Sequence, residues 1–375
     1  MTQQASSTTT LLQPYVTNLL DPSVNRHAMV AGIIGDHPSL YAKSPSIWNA
    51  AFADLSIEAT YLSFDVSSAQ LPGLVNALRE CRAYVGGNVT VPHKLAVMDL
   101  LDQLDPLAAQ IGAVNTIRRT QDGRLVGYNT DASGTVKSLT MPSPWQTEPF
   151  MEALPGKSLL LIGAGGAGRA AAFALARELG SDGRIYIANR SLARGSQLAD
   201  QVKAVYGNAQ AVEENVPREV LAEIDLVINS STKGQAGLRH LDDGMVTCLE
   251  PYSALSPAAP AVLAEAQYPN HTSLYDAWYR ASAPDIKSNL AASDESMLQV
   301  RSQTRFFDMV YAPLETPMLL QARLKGHATI NGKGMNIMQA VDAFASIVLE
   351  DYFKNEGWNE QQSFEVVQKS MASAW

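Results

Sequence analysis

The chain has 375 residues, 46% of them hydrophobic and 17% charged, which is an ordinary composition for a soluble globular enzyme. Its net charge of −9, with no run of lysine or arginine longer than two, argues against a nucleic-acid-binding surface and against a polybasic membrane anchor. Two distant cysteines predict neither a disulfide framework nor a metal site, and no apolar run is long enough to span a bilayer. We therefore expect a cytoplasmic protein with room for two domains.

The N-terminal part of the chain predicts a tail and then an α/β pattern. Residues 1–27 lack the charged and apolar regions of a signal peptide, and we expect them to be disordered. Strands are expected within 28–35 and 61–66. Between them Ser44 precedes Pro45, as a capping residue precedes the first position of a helix.

The segment 86–94 predicts a short strand and a following helix that begins at Pro92. Thr90 then lies at the end of the strand and Lys94 in the first helical turn, at the sheet edge where open α/β proteins bind ligands. A lysine is electrostatically unfavourable at a helix N-terminus. The alternative to a functional Lys94 is therefore an exposed side chain in water.

Two strands are predicted on either side of Asp122-Gly123, a strong hairpin signal. This hairpin would return Asn115 and Asp131 toward one edge of the sheet. A helix is expected after Asp131, and the proline-rich residues 141–156 are typical of a loop before a second domain.

The second domain begins with a glycine-rich turn between a strand-like and a helix-like segment. Four apolar residues, 159–162, precede glycines that would permit a tight turn, a close approach of a ligand and close helix packing. The N–H groups at the start of the helix would hold a pyrophosphate. The residues of this predicted dinucleotide site are Gly163, Gly165, Gly166, Ala167 and Gly168. A glycine turn with a purely structural use is the alternative.

The next predicted strand indicates the choice of cofactor. It ends in Asn189, Arg190 and Ser191, with Arg194 one turn further, and no acid stands at the tip to bind the ribose hydroxyl of NAD. Two guanidinium groups and a hydroxyl suit the 2′-phosphate of NADP. The sequence therefore favours NADP, with NAD still possible. Both arginines could instead be solvated residues at the start of a helix.

The span 247–303 fits this pattern poorly. It mixes proline-rich pieces with a short predicted helix at 261–266 and a cluster of aromatic residues. A surface insertion is one interpretation, and a lid or an oligomer contact is another. After it, a glycine-rich loop at Asn331 leads into an amphipathic helix, which we expect to pack on the first domain.

The chain carries several short motifs in a fixed order, at 87–94, 112–116, 129–131, 163–168, 189–191, 308–311 and 332–339. Together they resemble those of the shikimate dehydrogenase family, which includes quinate–shikimate dehydrogenases. The resemblance implies a two-domain α/β protein whose active site lies in the cleft between the domains. The α/β substrate domain would comprise 28–135 and 332–375. A Rossmann-type NADP-binding domain would comprise 136–331, with an insertion at about 247–303.

The resemblance also assigns roles to individual residues. Lys94 and Asp131 match the catalytic pair of the family. The matched substrate ligands are Ser44, Thr90, Asn115, Tyr311 and Gln339. On the cofactor side the match adds Ser230, Ser231, Gly332 and Met335.

The implied reaction is hydride transfer between NADP and a shikimate-like cyclic hydroxy acid, most simply 3-dehydroshikimate and shikimate. Two residues differ from the family pattern and leave the identity of the substrate open. Ala42 stands where the family has a carboxylate-binding serine, and Asn336 stands in place of a leucine. A paralogue acting on quinate or a related acid, and a non-catalytic regulator, are the alternatives. The partners expected are a small molecule, with no nucleic acid and no metal, in a monomer or a homodimer.

Overall fold

The computed structural model describes residues 7–241 and 244–375, and the chain divides into two compact units. The first unit comprises Met1–Pro149 and Met335–Trp375, and the second comprises Phe150–Gly334. The boundary predicted between 135 and 136 falls inside a helix of the first unit, so the junction lies at 149–150 instead. The return to the first unit is at 335, later than the predicted 332.

The first unit contains a mixed six-stranded sheet. Its strands are β1 (Met29–Gly35), β2 (Ala59–Asp65), β3 (Tyr84–Val89), β4 (Gln103–Leu104), β5 (Thr116–Arg119) and β6 (Leu125–Tyr128). Their order is β2-β1-β3-β5-β6-β4, with β1 parallel to both neighbours and β5 antiparallel to both β3 and β6. The hairpin predicted at Asp122-Gly123 is confirmed as the connection between β5 and β6, with Gly123 at a φ of 87°.

Six helices belong to this part of the chain: α1 (Thr8–Leu12), α2 (Pro38–Tyr41), α3 (Ser44–Asp54), α4 (Leu71–Glu80), α5 (Pro106–Ile111) and α6 (Thr130–Thr140). Short 3₁₀ helices lie at Gln13–Tyr15, Pro22–Arg26 and Met98–Leu100. Helix α4 presents Leu74 and Leu78 to the core, as its spacing predicts.

The expectation of a disordered tail over 1–27 is wrong for the residues that are described. Apolar residues recur at every fourth position, and Leu12, Val16, Leu20 and Val24 are buried. Leu12, Val16 and Leu20 pack in a core with α4. The Asn18 amide also donates to the Ser63 carbonyl of β2, at 2.9 Å. The polar Ser/Thr run before it made the segment resemble a disordered tail in the sequence. Residues 1–6 lie outside the described part of the chain.

The helix predicted from Pro92 is also wrong, because residues 91–97 form consecutive turns before the 3₁₀ helix at Met98–Leu100. The N–H groups of His93 and Met98 donate to carbonyls three residues back, not four. The buried His93 ring also bonds to the carbonyl oxygen of Val66, at 2.8 Å. This tertiary hydrogen bond stabilises a turn where local propensity predicts a helix.

The second unit begins with a parallel sheet. Strands β7 to β15 of the chain are β7 (Ser158–Ile162), β8 (Arg184–Ala188), β9 (Ala209–Val212), β10 (Leu226–Asn229), β11 (Leu238–His240), β12 (Met245–Cys248), β13 (Leu263–Ala264), β14 (Arg305–Asp308) and β15 (Thr329–Ile330). Six of them form an all-parallel sheet in the order β9-β8-β7-β10-β14-β15, which is the doubly wound order of dinucleotide-binding folds. The remaining three form a small antiparallel sheet, β11-β12-β13.

The helices of this unit are α7 (Gly166–Leu179), α8 (Leu192–Tyr206), α9 (Arg218–Leu221), α10 (His271–Met297) and α11 (Pro317–Leu324). The helix predicted at 261–266 is wrong: this stretch contains β13 and the start of a 3₁₀ turn. The long helix of the insertion is α10, whose first turn is capped by the Asn270 side chain. Its Trp278 is fully buried beside Tyr252 in a separate small core.

The chain then enters α12 (Lys333–Val341), a π-helical segment (Asp342–Val348), α13 (Glu350–Asn355) and α14 (Glu360–Ser373). Ile337, Phe344 and Val367 pack in one core with Trp48 of α3, so the predicted packing of this amphipathic helix on the first domain is confirmed. Throughout the ranges that the structure describes, every helix is too short or too polar to cross a membrane.

Replacing Leu20 by alanine tests the ordered N-terminal segment. Leu20 is 3% exposed and its neighbour Leu19 is 87% exposed, so the two substitutions remove the same atoms from opposite environments. We expect Leu20→Ala to lower the free energy of unfolding by about 2–5 kcal/mol, and Leu19→Ala by less than about 0.5 kcal/mol. Urea denaturation measures both values, and equal values would contradict the placement of this segment in the core.

Candidate active site and cofactor groove

An ion pair between Lys94 and Asp131 forms the centre of the polar site in the first unit. The Nζ atom of Lys94 lies 2.6 Å from Oδ2 of Asp131, and the side chains are 17% and 9% exposed. Asp131 is in the first turn of α6, which Asn129 caps through its side chain. The Lys94 carbonyl accepts the N–H of Val114 at 2.8 Å, so backbone as well as side-chain bonds hold the lysine. A short charge-assisted bond of this kind fixes the ammonium group in one direction.

Asn115 joins this pair to a second helix. Its Nδ2 atom donates to Oδ1 of Asp131 at 2.9 Å and lies 3.4 Å from Oε1 of Gln339 on α12. Its Oδ1 atom accepts the backbone N–H of Thr130 at 2.7 Å. The structure therefore brings together four of the predicted site residues, namely Lys94, Asp131, Asn115 and Gln339.

Ser44 lies beside a buried chain of hydrogen bonds that leads to the same network. Its hydroxyl is close enough to the Tyr61 phenol to affect the pKa of Tyr61, and the phenol donates to Oδ1 of Asn88 at 2.7 Å. Asn88 in turn donates to the Thr116 hydroxyl at 3.3 Å, and that hydroxyl donates to Asn115 at 3.0 Å. Burial raises the pKa of Tyr61 well above its ordinary value, so the phenol remains a neutral donor.

The capping role predicted for Ser44 is wrong. The residue before α3 is Lys43, and Ser44 is already the first helical residue. Its side chain is buried and turns to Tyr61, which offers a hydrogen bond inside the protein.

Ser39, Tyr41 and Lys43 are the nearby side chains that could compensate for the hydroxyl that Ala42 lacks. Ser39 is engaged by Asp65, which accepts both its N–H, at 2.9 Å, and its hydroxyl. Lys43 instead places its Nζ 5.5 Å from the ring centroid of Trp375, and the indole N–H of Trp375 lies 3.2 Å from Oδ1 of Asn336. One aromatic ring thus contacts both Asn336 and the residue beside Ala42. No sequence signal identified Trp375.

Of the remaining predicted site residues, Thr90 follows β3 and donates its N–H to the Ile34 carbonyl at 2.8 Å. Met335 is buried, with its Sδ 3.7 Å from the Thr135 hydroxyl. Tyr311 and Gly332 belong to the second unit. Burial raises the pKa of the Tyr311 phenol.

The second unit contains a groove of about 300 Å³ beside the glycine turn. Gly163 has a φ of 110°, and a Cβ on Gly168 would lie 2.3 Å from the Gly163 carbonyl oxygen, so both positions require glycine. A Cβ on Gly165 would meet no atom within 4 Å, which leaves this backbone open to a ligand. Gly166 and Ala167 begin α7, where N–H groups without partners in the helix bind anions. A dinucleotide pyrophosphate fits this turn.

Asn189 holds the turn against the end of β8. Its Oδ1 atom accepts the N–H of Ala164 at 3.1 Å, and its Nδ2 atom donates to the Ser191 carbonyl at 2.9 Å. The Ser191 side chain caps α8, and Arg190 and Arg194 line the same groove. Of the predicted phosphate-binding residues, the two arginines line the groove, while the Ser191 side chain serves as the helix cap and is not among the lining residues.

The opposite wall follows β10. The Ser230 hydroxyl donates to the Ile162 carbonyl at 2.9 Å, and Oδ1 of Asn229 accepts both the N–H and the hydroxyl of Ser231. The amide of Asn229 also donates to Oδ1 of Asp308 at 2.9 Å. Asp308 is fully buried, and burial raises its pKa to about 7 against the opposing hydrogen bonds.

The resemblance extends the cofactor-side loop to Thr232, which lines the groove. Sequence reasoning did not identify Lys233 and Arg239, which also line it. Arg239 lies on β11, whose pairing with β12 has no strong local signal. Within residues 7–241 and 244–375, no three His, Cys, Asp or Glu side chains are arranged to hold a metal ion.

Comparison with known proteins assigns the chain to a family. Residues 33–117 match the model for the shikimate dehydrogenase substrate-binding domain, and residues 147–246 match the model named shikimate / quinate 5-dehydrogenase. A shikimate dehydrogenase (NADP(+)) of Lysinibacillus sphaericus is 34% identical over 312 residues, which cover 83% of this chain and 89% of the relative. The chain belongs to the shikimate dehydrogenase family.

Solved structures agree with this family assignment. The shikimate 5-dehydrogenase of Thermus thermophilus, in complex with NADP(H) and shikimate, is 28% identical, with a TM-score of 0.58, and 91% of this chain and 99% of that chain are covered. The quinate dehydrogenase of Corynebacterium glutamicum, in complex with NAD, is 24% identical, with a TM-score of 0.64 and coverage of 92% and 99%. The second likeness concerns the fold alone.

Two glycine substitutions separate cofactor binding from folding in this family member. Gly165→Ala adds a methyl group that contacts nothing within the protein, so we expect normal stability and NADP binding weakened at least about ten-fold. Gly168→Ala forces a contact with the Gly163 backbone and should lower the free energy of unfolding by more than about 1 kcal/mol. Calorimetric titration with NADP and thermal unfolding measure the two effects. Unchanged NADP affinity in Gly165→Ala would exclude a close approach of the pyrophosphate.

The buried Asp308 makes stability depend on pH. Its pKa rises from 3.8 to about 7 on folding, so the folded state binds the proton more tightly. The associated stability is complete below about pH 4 and is lost as the pH rises through 7, by up to about 4 kcal/mol. Asp308→Asn keeps a neutral side chain at both pH values. The difference in unfolding free energy, variant minus wild type, should therefore increase between about pH 5 and about pH 8. Urea unfolding at both pH values measures the difference, and a pH-independent difference would contradict the raised pKa.

Proposed function

We propose that this chain is a shikimate dehydrogenase that interconverts 3-dehydroshikimate and shikimate with NADP(H). The observation that carries the proposal is the 2.6 Å ion pair of Lys94 and Asp131 within a polar network that also contains Asn115 and Gln339. The names of the curated relatives, at 29–34% identity over most of the chain, favour shikimate as the substrate.

The proposed chemistry uses the ion pair at the reacting oxygen. When bound, NADPH supplies the hydride for the ketone carbon. The Lys94 ammonium group stabilises the negative charge that develops on the ketone oxygen and gives it a proton. Asp131 keeps the ammonium aimed at that oxygen, and Asn115 fixes the carboxylate through its other oxygen. In the reverse direction neutral Lys94 accepts the hydroxyl proton.

The remaining predicted ligands complete the proposal. Ser44, Thr90, Asn115, Tyr311 and Gln339 bind the hydroxyl and carboxylate groups of the substrate. Arg190, Ser191 and Arg194 bind the adenosine end of the cofactor, which the glycine turn and the residues Ser230, Ser231, Gly332 and Met335 position. The proposal includes a cytoplasmic location, a monomer or a homodimer, and a small molecule as the partner.

Ala42 supports one second candidate, a dehydrogenase of quinate or a related acid. Alanine offers no hydroxyl to a carboxylate, and Ser39 is already bonded to Asp65. The loss of one charge-assisted hydrogen bond weakens binding of a carboxylate by about ten- to a hundred-fold without abolishing activity. Because shikimate and quinate both carry a carboxylate, a preference for quinate would need a further difference around Ala42. The non-catalytic alternative is disfavoured, because the Lys94–Asp131 pair is intact.

Substitution of Lys94 tests the proposal. Lys94→Ala should lower kcat for shikimate oxidation by about 10²- to 10⁴-fold with little change in KM, because it removes a group that acts at the transition state. Lys354→Ala is the matched control, since that lysine is exposed and its salt bridge with Glu350 lies on the surface. The absorbance of reduced nicotinamide measures both rates.

The same assay compares shikimate with quinate, and NADP with NAD, in the wild-type enzyme. Preference for quinate by more than about ten-fold in kcat/KM would replace the first candidate by the second. Near-normal turnover in Lys94→Ala would remove Lys94 from the chemistry.

A further inference from the structure

The cofactor groove has a basic end that extends beyond the predicted arginine motif. Arg190 and Arg194 line it from the β8 side, and Arg239 lines it from β11. Within the described ranges Glu214 is the only acid among the lining residues, and it is bonded to Lys233 at 2.9 Å. The groove therefore gathers three guanidinium groups whose charge its own carboxylate does not neutralise.

Arg239 is held at this place by a specific contact. Its Nη1 atom donates to the hydroxyl of Thr232, which lines the same groove. Desolvation and the nearby positive charge of Arg190 both lower the pKa of Arg239, an exposed residue, which is consistent with two guanidinium groups facing one space. Like charges are brought together at a cost in free energy, and a bound dianion removes that cost.

The wall that carries Arg239 is fixed to the insertion. The buried Lys233 donates to the Ser256 carbonyl at 2.6 Å, and the Asn289 amide of α10 donates to the carbonyls of Ser253, Ser256 and Pro257. Ala258 of the same stretch lines the groove. The insertion thus forms part of the groove wall and is held to it by these hydrogen bonds.

We propose that Arg239 is a third arginine for the 2′-phosphate of NADP, and that the insertion serves to hold it there. This inference rests on the proposed NADP-dependent function. A phosphomonoester carries a charge of about −1.5 to −2 near neutral pH and three acceptor oxygens, enough for several paired guanidinium contacts. Arg239 lies outside the Asn189–Ser191 motif, so it adds selectivity for NADP over NAD that the motif alone does not supply.

Calorimetric titration with two cofactor fragments tests the inference without any turnover. Adenosine 2′,5′-bisphosphate carries the phosphate in question, and adenosine 5′-monophosphate lacks it. We expect Arg239→Ala to weaken binding of the bisphosphate by about ten- to a hundred-fold and to change binding of the monophosphate by less than about two-fold. Arg239→Lys should recover part of the loss, because it restores a charge without the planar pair of donors.

Arg280→Ala is the matched control, since Arg280 is an exposed arginine of α10 and does not line the groove. Thermal unfolding of each variant detects loss of the fold. Equal weakening of both fragments by Arg239→Ala, or no effect on either, would overturn the inference and leave the NADP-dependent activity standing. A wild-type protein that binds neither fragment and reduces no NADP would overturn the proposed function together with the inference.

Discussion

The partly buried ion pair between Lys94 and Asp131 constrains the arrangement of the whole first unit. Removing two charges from water is expensive, and their attraction repays the expense only when the geometry is good and the remaining acceptors are satisfied. Asn115 satisfies the second oxygen of Asp131 and contacts Gln339 on α12. The pair thus joins the turns after β3 to the first turn of α6, and Asn115 links it to the C-terminal helix α12.

In the second unit, asparagine side chains supply hydrogen-bond partners for the loops that follow two strands. A loop at the end of a parallel strand leaves N–H and carbonyl groups that need partners, and an asparagine offers a donor and an acceptor from one position. Asn189 joins the glycine turn to the start of α8, and Asn229 joins the Ser231 loop to Asp308. Both walls of the groove are thus fixed by short, neutral bonds, which leaves the arginine side chains at its edge available to a phosphate.

Sequence reasoning succeeded where the signal is local. The glycine turn and the hairpin at Asp122-Gly123 depend on backbone conformations that few residues adopt, so their residue types alone predict them. It failed where tertiary contacts decide. The turns around Lys94 depend on a bond between His93 and a distant carbonyl, and the N-terminal segment is ordered by burial against α4. Helix α10 was missed because Pro284 interrupts its pattern and its buried residues pack in a small core of their own.

The candidate site divides in the same way. Lys94 and Asp131 could be assigned roles from a family resemblance, because they occur in short ordered motifs. The two motif arginines could be named from the end of the predicted strand, where no acid stands. Arg239 and Trp375 could not. Arg239 is positioned by the pairing of β11 with β12, which lacks a strong turn signal, and Trp375 reaches Asn336 from a segment distant in sequence. The charge of the chain makes Arg239 significant. A protein with a net charge of −9 repels a phosphodianion at long range, so binding requires a local field that reverses this sign within about 10 Å. Among the residues that the structure describes, three guanidinium groups line the groove and its one lining acid, Glu214, is paired with Lys233, which provides that reversal.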